Sequence, residues 1–319
     1  MAIVQKIARL KVLLPLIGIG IFIYIIHDIG VEKIGGALSN TNPLYFFISL
    51  SIFLPRIIMS TYKWKMIADK QGIEVGLISL IKLNIIGLFY GTITPLWLGD
   101  YIRIPYLREE TNEPFGKCAS NVLIDQAIEF AALFILALIG SLILLNQFPS
   151  LFLILFSLFV IFISVAIFFK EKGRSKKILK IAYAIFIPKK LKPFMANEFH
   201  SFYESMPSLK FLVIPLFIEL VSYTLFFTQI YILALSFSIT IPFFSFIFIY
   251  PIASLISLIP VTVSGLGTRE GALIHLFSLY GIAGETTVAI SLGGYIITML
   301  VPSFIGAILA VLKGKSKNV

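Results

Sequence analysis

The sequence predicts an all-α polytopic membrane protein with about six full spans and two re-entrant broken-helix hairpins. Three observations predict it. Of the 319 residues 58% are hydrophobic and only 13% are charged, about half the charged share of an ordinary soluble domain. Six apolar runs reach the roughly 20 residues that a helix needs to cross the hydrocarbon core. The basic residues gather at the ends of those runs, so the net charge of +10 reports topology and gives no reason to expect nucleic acid. A single cysteine, Cys118, excludes an internal disulfide, and His27, His200 and His275 are scattered, so no metal or other cofactor is expected.

In order along the chain, the full spans fall at about 10–27, 43–62, 118–145, 149–169, 209–236 and 285–312. Basic residues precede the first run and no small-residue cleavage site follows it, which predicts an uncleaved first span. Two further apolar regions are interrupted: about 75–109 by TPLWLGD, and about 243–281 by VSGLGT. Each half has roughly 10 to 18 residues, too short for a comfortable crossing, which is the mark of a broken or re-entrant helix.

Charge sets the orientation. With the N-terminus (Lys6, Arg9, Lys11) inside, six spans return the C-terminal Lys313, Lys315 and Lys317 to the same side. The remaining inside segments hold Lys63, Lys65, Lys70, Arg103, Arg108 and Lys117, and the loop from Lys170 to Lys210 adds ten more. Outside segments hold only Lys33, apart from Arg269 in the second break. Both termini are therefore expected to be cytoplasmic, in a multi-pass protein of the cell membrane. The first interrupted region then starts and ends inside and the second starts and ends outside, so residues 43–145 and 209–312 share one plan in opposite orientation. Pro95-x-x-x-Gly99-Asp100-x-x-Arg103 echoes Pro260…Gly265-x-Gly267-x-Arg269-Glu270. A single transmembrane domain over 1–319 with an inverted repeat is expected, the plan of secondary transporters with midplane sites. The connector at about 170–208 is basic and partly amphipathic, which suits either the cytoplasmic lipid surface or a solvated loop.

The breaks carry the chemistry. Gly265 and Gly267 allow a tight turn after which Thr268 is placed to cap a helix through Tyr280; Gly99 precedes Asp100 as the natural cap, with Arg103 one turn on. Pro95 and Pro260 end the preceding half-helices. A helix N-terminus presents unpaired N–H groups and positive potential, so two such ends flanked by Arg103 and Arg269 make a candidate phosphate site. The alternative makes the breaks structural, each arginine neutralised by the acid beside it. That suits Asp100 and Arg103, three apart on one face, but adjacent Arg269 and Glu270 point about 100° apart and are expected to serve each other poorly.

Other charges inside predicted spans are site candidates by their expense alone. Arg56 lies too deep to snorkel. Asp125 and Glu129 share a face and need a cation or a proton, which a polar network around the arginines would supply. Glu219 stands mid-span; Lys82 suits a snorkelling position, and His275 an interior one. The near balance of interior cations and acids predicts mutual pairing, with an anionic headgroup competing for the arginines. The ionisable groups sit at mid-depth, away from either surface, which predicts binding and transport without catalysis.

LIPVTVSGLGTREGAL, with GDYIR in the earlier break, resembles the flippase-like transmembrane family. That family is typified by the membrane half of lysylphosphatidylglycerol synthases and its small archaeal and bacterial relatives. The likeness spans about 45–310, with TPLWLGD standing where relatives carry a fuller glycine motif and Gln126 where many have arginine. The resemblance implies movement of an anionic, phosphate-bearing lipid between leaflets: an aminoacyl-phospholipid or a polyprenyl-phosphate glycolipid. A glycosyltransferase or lipid-modifying enzyme is the implied partner. A membrane subunit of a lipid-modifying transferase and a small-solute secondary transporter are the alternatives. No G-x-x-x-x-G-K-[ST] loop is present, Leu309 standing where GKS at 314–316 would need glycine, so ATP drive is not expected.

Overall fold

The computed structural model describes residues 41–170, 192–204, 206–258 and 267–315, with isolated positions 27, 32, 36, 39 and 173. Among the described residues the chain is helical, without strands. The elements are α1 (Pro43–Lys70), α2 (Leu77–Thr92), a 3₁₀ segment (Pro95–Ile102), α3 (Arg103–Thr111), α4 (Phe115–Ile143) and α5 (Pro149–Lys170). They continue with α6 (Lys192–Glu204), α7 (Leu209–Ala234), α8 (Phe243–Ile256), α9 (Thr268–Ser278), α10 (Gly284–Tyr295), a π-helical turn (Ile296–Leu300) and α11 (Val301–Lys315).

Among the described residues five stretches are long and apolar enough to cross a membrane: Pro43–Lys70, Phe115–Ile143, Pro149–Lys170, Leu209–Phe237 and Gly284–Gly314. They coincide with five of the six expected spans; the first, at 10–27, lies outside the described residues apart from His27. The interrupted regions give the short apolar helices α2 and α8, as their length required. α1 and α7 carry Pro55 and Pro215 within them, which membrane helices tolerate because neighbours re-satisfy the freed carbonyl.

The chain divides into two compact units. The first takes its described residues from within Met1–Ile58, Ile81–Arg103 and Thr224–Val319, the second from Met59–Leu80 and Ile104–Tyr223. In the second, α4 packs against α5 and α6. α5 fully buries only Leu155; Phe159 and Phe162 pack on Phe130 and Phe134 of α4, and much of its remaining apolar surface is exposed, as on a lipid-facing helix. A fully buried polar chain ties the end of α1 to α4. Trp64 Nε1 donates to Asn121 Oδ1 (2.6 Å), Asn121 Nδ2 to Gln71 Oε1 (2.9 Å), and Gln71 Nε2 to Ser120 Oγ (3.0 Å). Replacing Asn121 by leucine removes the acceptor of Trp64 Nε1 and the donor to Gln71 Oε1, and is expected to destabilise the protein by about 1–3 kcal/mol for each lost bond, read as a lower thermal midpoint in detergent.

In the first unit α9 packs on α8 and α10. The contact is aromatic: Phe246 lies 5.4 Å from both Tyr250 and Phe277, ring centre to ring centre. Polar side chains close the helix contacts. Ser49 Oγ donates to the Gln229 carbonyl (2.6 Å), and Ser303 Oγ donates to Thr92 Oγ1 (2.9 Å). In hydrocarbon such bonds hold helices together because no water offers an alternative.

Candidate functional site

The second break is centred on the start of α9. Gly267 is the residue before the helix and adopts φ 89°, a left-handed conformation that a side chain at this turn would strain. Thr268, expected as the cap, is instead the first helical residue. The capping anion comes from Glu270: its Oε2 accepts the Gly267 N–H at 2.5 Å. The other oxygen, Oε1, accepts Arg269 Nη2 at 2.8 Å and the Ser291 hydroxyl at 2.6 Å. Arg269 Nε in turn donates to Ser291 Oγ at 3.0 Å. The expectation that neighbouring Arg269 and Glu270 serve each other poorly is thus corrected. Both side chains bend toward Ser291 on α10, which supplies a meeting point that one helix alone lacks. The pair is buried, at 8% and 9% exposure. The Arg269 guanidinium also lies over the Tyr295 ring, 5.4 Å from its centre, at the start of the π-helical turn. Such turns recur at functional sites. Gly265, with the rest of 259–266, lies outside the described residues.

The first break is built differently. After α2 the chain extends at Thr94 (φ −122°, ψ 145°) and enters the 3₁₀ segment at Pro95. Thr94 Oγ1 donates to the Tyr90 carbonyl at 2.9 Å and accepts the Gly99 N–H at 2.7 Å. Asp100 is therefore not a helix cap. It sits inside a 3₁₀ segment that runs straight into α3, and the Arg103 N–H is already engaged by the Asp100 carbonyl. Helical hydrogen bonding thus consumes the amide end that sequence placed here. The acid and the base do pair, Arg103 Nη2 donating to Asp100 Oδ2, with Arg103 1% exposed. Glycine makes this possible: a methyl on Gly99 would overlap the Tyr90 carbonyl, and one on Gly87 the Asp100 carboxylate. Gly99→Ala is expected to destabilise by at least about 1–3 kcal/mol, because the obstructing atoms are main chain and cannot turn aside. A thermal denaturation series in detergent checks this.

A third cluster gathers Asp125, Glu129 and Glu219 in the second unit. Their cation is Lys63, and no arginine takes that place. Lys63 Nζ lies 2.8 Å from Asp125 Oδ1, 3.0 Å from Glu129 Oε1 and 3.1 Å from Glu219 Oε2. Lys63 is fully buried. Gln126 donates Nε2 to Glu129 Oε2 at 3.2 Å. Sequence reasoning placed Lys63 in an inside loop because the second span was ended at 62, whereas α1 runs on to Lys70. Two signals were available: three mid-span acids lacked a cation, and Trp64, Ile67 and Ala68 continue the buried face of the helix.

Arg56 is half-buried on α1, its guanidinium 5.0 Å from the Phe226 ring centre and 5.4 Å from that of Phe53. Lys82 and His275 are exposed, His275 contrary to the interior position expected of it.

The lysylphosphatidylglycerol synthase transmembrane region matches residues 10–306, nearly the whole chain. This chain belongs to that family. Among its relatives, a UPF0104 membrane protein of Methanothermobacter thermautotrophicus is 25% identical, over 96% of this chain and 94% of its own. UPF0104 membrane protein MJ1595 of Methanocaldococcus jannaschii is also 25% identical, over 95% and 94%. A second protein of that organism, MJ1078, is 29% identical over 61% of this chain and 81% of its own. The matched residues take in both breaks and all three clusters.

Proposed function

We propose that the chain binds an anionic, phosphate-bearing lipid at the second break and carries its headgroup between leaflets, without catalysing a reaction on it. The observation that carries this is the Glu270 carboxylate. It occupies an N-terminal helix position that suits a phosphate, held by the Gly267 N–H, the Arg269 guanidinium and the Ser291 hydroxyl. Two carboxylate oxygens on those three donors mimic two phosphate oxygens. A lipid phosphate would take over the same donors and push Glu270 aside, so the empty site is kept neutral by the protein's own anion. Placing both breaks in one compact unit supports a shared site, with Asp100 and Arg103 contributing from the first break. The facing, inverted arrangement of the two halves is part of this proposal, as are cytoplasmic termini in the cell membrane. So is a lipid-modifying enzyme or glycosyltransferase as supplier of the lipid.

The test is native mass spectrometry of lipids retained by the purified protein. Removing Arg269 deletes a charge-assisted contact of about 1.5–3 kcal/mol, so Arg269→Ala should retain roughly tenfold or more less anionic lipid. Glu270→Gln removes the internal competitor and should retain more than the unmodified protein does. Equal retention by all three would put the lipid elsewhere. A small solute bound in place of lipid would favour the transporter alternative.

A further inference from the structure

We propose that Lys63, Asp125, Glu129 and Glu219 form a proton-binding site, with Glu219 carrying the proton and Glu129 providing its route to water. One ammonium faces three carboxylates, each with an oxygen within 3.1 Å of Nζ. Fully ionised, the group would hold two surplus negative charges. The side chains of Lys63, Asp125 and Glu219 are 0%, 1% and 5% exposed, so water does not spread that charge. Among the described residues the charged groups that act on Lys63 and Glu219 are the other members of the cluster, from α1, α4 and α7. The remaining polar neighbour recorded for Glu129 is the neutral amide of Gln126. Buried like charges this close are relieved by a cation or a proton. The Lys63 ammonium fills the place of a cation, and the three acids make no metal-holding group among the described residues. A proton remains.

The three acids are not equivalent. Glu129 accepts hydrogen bonds from Lys63 and Gln126, and its side chain is 22% exposed, so it is the best placed to stay ionised and meet water. Asp125 makes the shortest pair with Lys63, at 2.8 Å. Glu219 makes the longest, at 3.1 Å. The facing oxygens of both buried acids, Asp125 Oδ1 and Glu219 Oε2, meet Lys63 without an aligned hydrogen bond, so separation ranks them, and the weaker pair favours ionisation less, which assigns the proton to Glu219. The step is a carboxylate taking up a proton from water by way of Glu129, and its reversal; no other bond changes. Because three helices share the cluster, each protonation changes the charge that holds them together, a means of linking proton uptake to a helix rearrangement.

Infrared spectroscopy of the purified full chain in nanodiscs, titrated with pH and with no lipid substrate added, tests this apart from the lipid proposal. At neutral pH the protein should show the carbonyl band of a protonated carboxylic acid, shifted in D₂O and lost on alkaline titration. Glu219→Gln should abolish the band while leaving the thermal midpoint near that of the parent, since glutamine imitates the neutral acid in shape and charge. Glu129→Gln should keep the band but slow its response to a pH jump. Absence of the band in the parent protein, its survival in Glu219→Gln, or failure of that variant to fold would each overturn the proposal.

Discussion

Replacing Lys63 by methionine is expected to cost about 3–5 kcal/mol, the size seen when one partner of a buried ion pair is removed and the other stays charged. Here the removal strands the carboxylates of Asp125 and Glu129, the first of them nearly inaccessible to water, beside a Glu219 that is already neutral. Methionine keeps most of the apolar stem volume, so the loss reports charge more than packing. Unfolding in a graded detergent or denaturant series, compared with Lys65→Met, measures it. Lys65 is partly exposed and pairs with Asp69 on its own helix, so its loss should fall within the roughly 0–1 kcal/mol of a surface pair. Two further outcomes separate electrostatics from shape. Combining Lys63→Met with Asp125→Asn and Glu129→Gln should recover much of the loss. Lowering the pH should also recover part of it, because protonation neutralises the stranded acids. A loss equal to that of Lys65→Met, with no response to pH, would mean that the cluster does not hold the helices together.

Hydropathy made the framework of this chain legible, because a membrane span is specified by length and oiliness, which depend little on tertiary context. The five described spans and the short helices α2 and α8 lie where apolar run length put them. Helix ends were less legible. α1 continues past residue 62, as the spacing of Trp64, Ile67 and Ala68 allows, but that Lys63 finds its partners on α4 and α7 is a tertiary fact. At the second break the sequence marked Arg269 and Glu270 but misjudged the contact between them. Spacing alone turned Arg269 away from Glu270, and only Ser291, contributed by α10, brings them together. At the first break the pairing of Asp100 with Arg103 followed from their spacing. The 3₁₀ path through Pro95–Ile102 did not, since it depends on Thr94 and on glycines that let the segment lie against α2.

That path makes Arg103 the second residue whose loss should be severe. Arg103→Met leaves Asp100, 8% exposed, without its guanidinium at a level where the chain has already left regular α-helix. The expected loss is again about 3–5 kcal/mol, with a different signature from that at Lys63. A single carboxylate is stranded here, so Asp100→Asn alone should suffice to restore most of the stability in the double variant. Asp100→Asn by itself should be the milder change: it leaves a cation whose long stem can move toward the lipid headgroups, as a short aspartate cannot. Thermal midpoints for the two single variants and the double complete a mutant cycle whose coupling measures the pair. Should the singles prove additive, the break would owe its shape to the Gly99 and Thr94 contacts alone, and Arg103 would be free to serve a ligand without disturbing the fold.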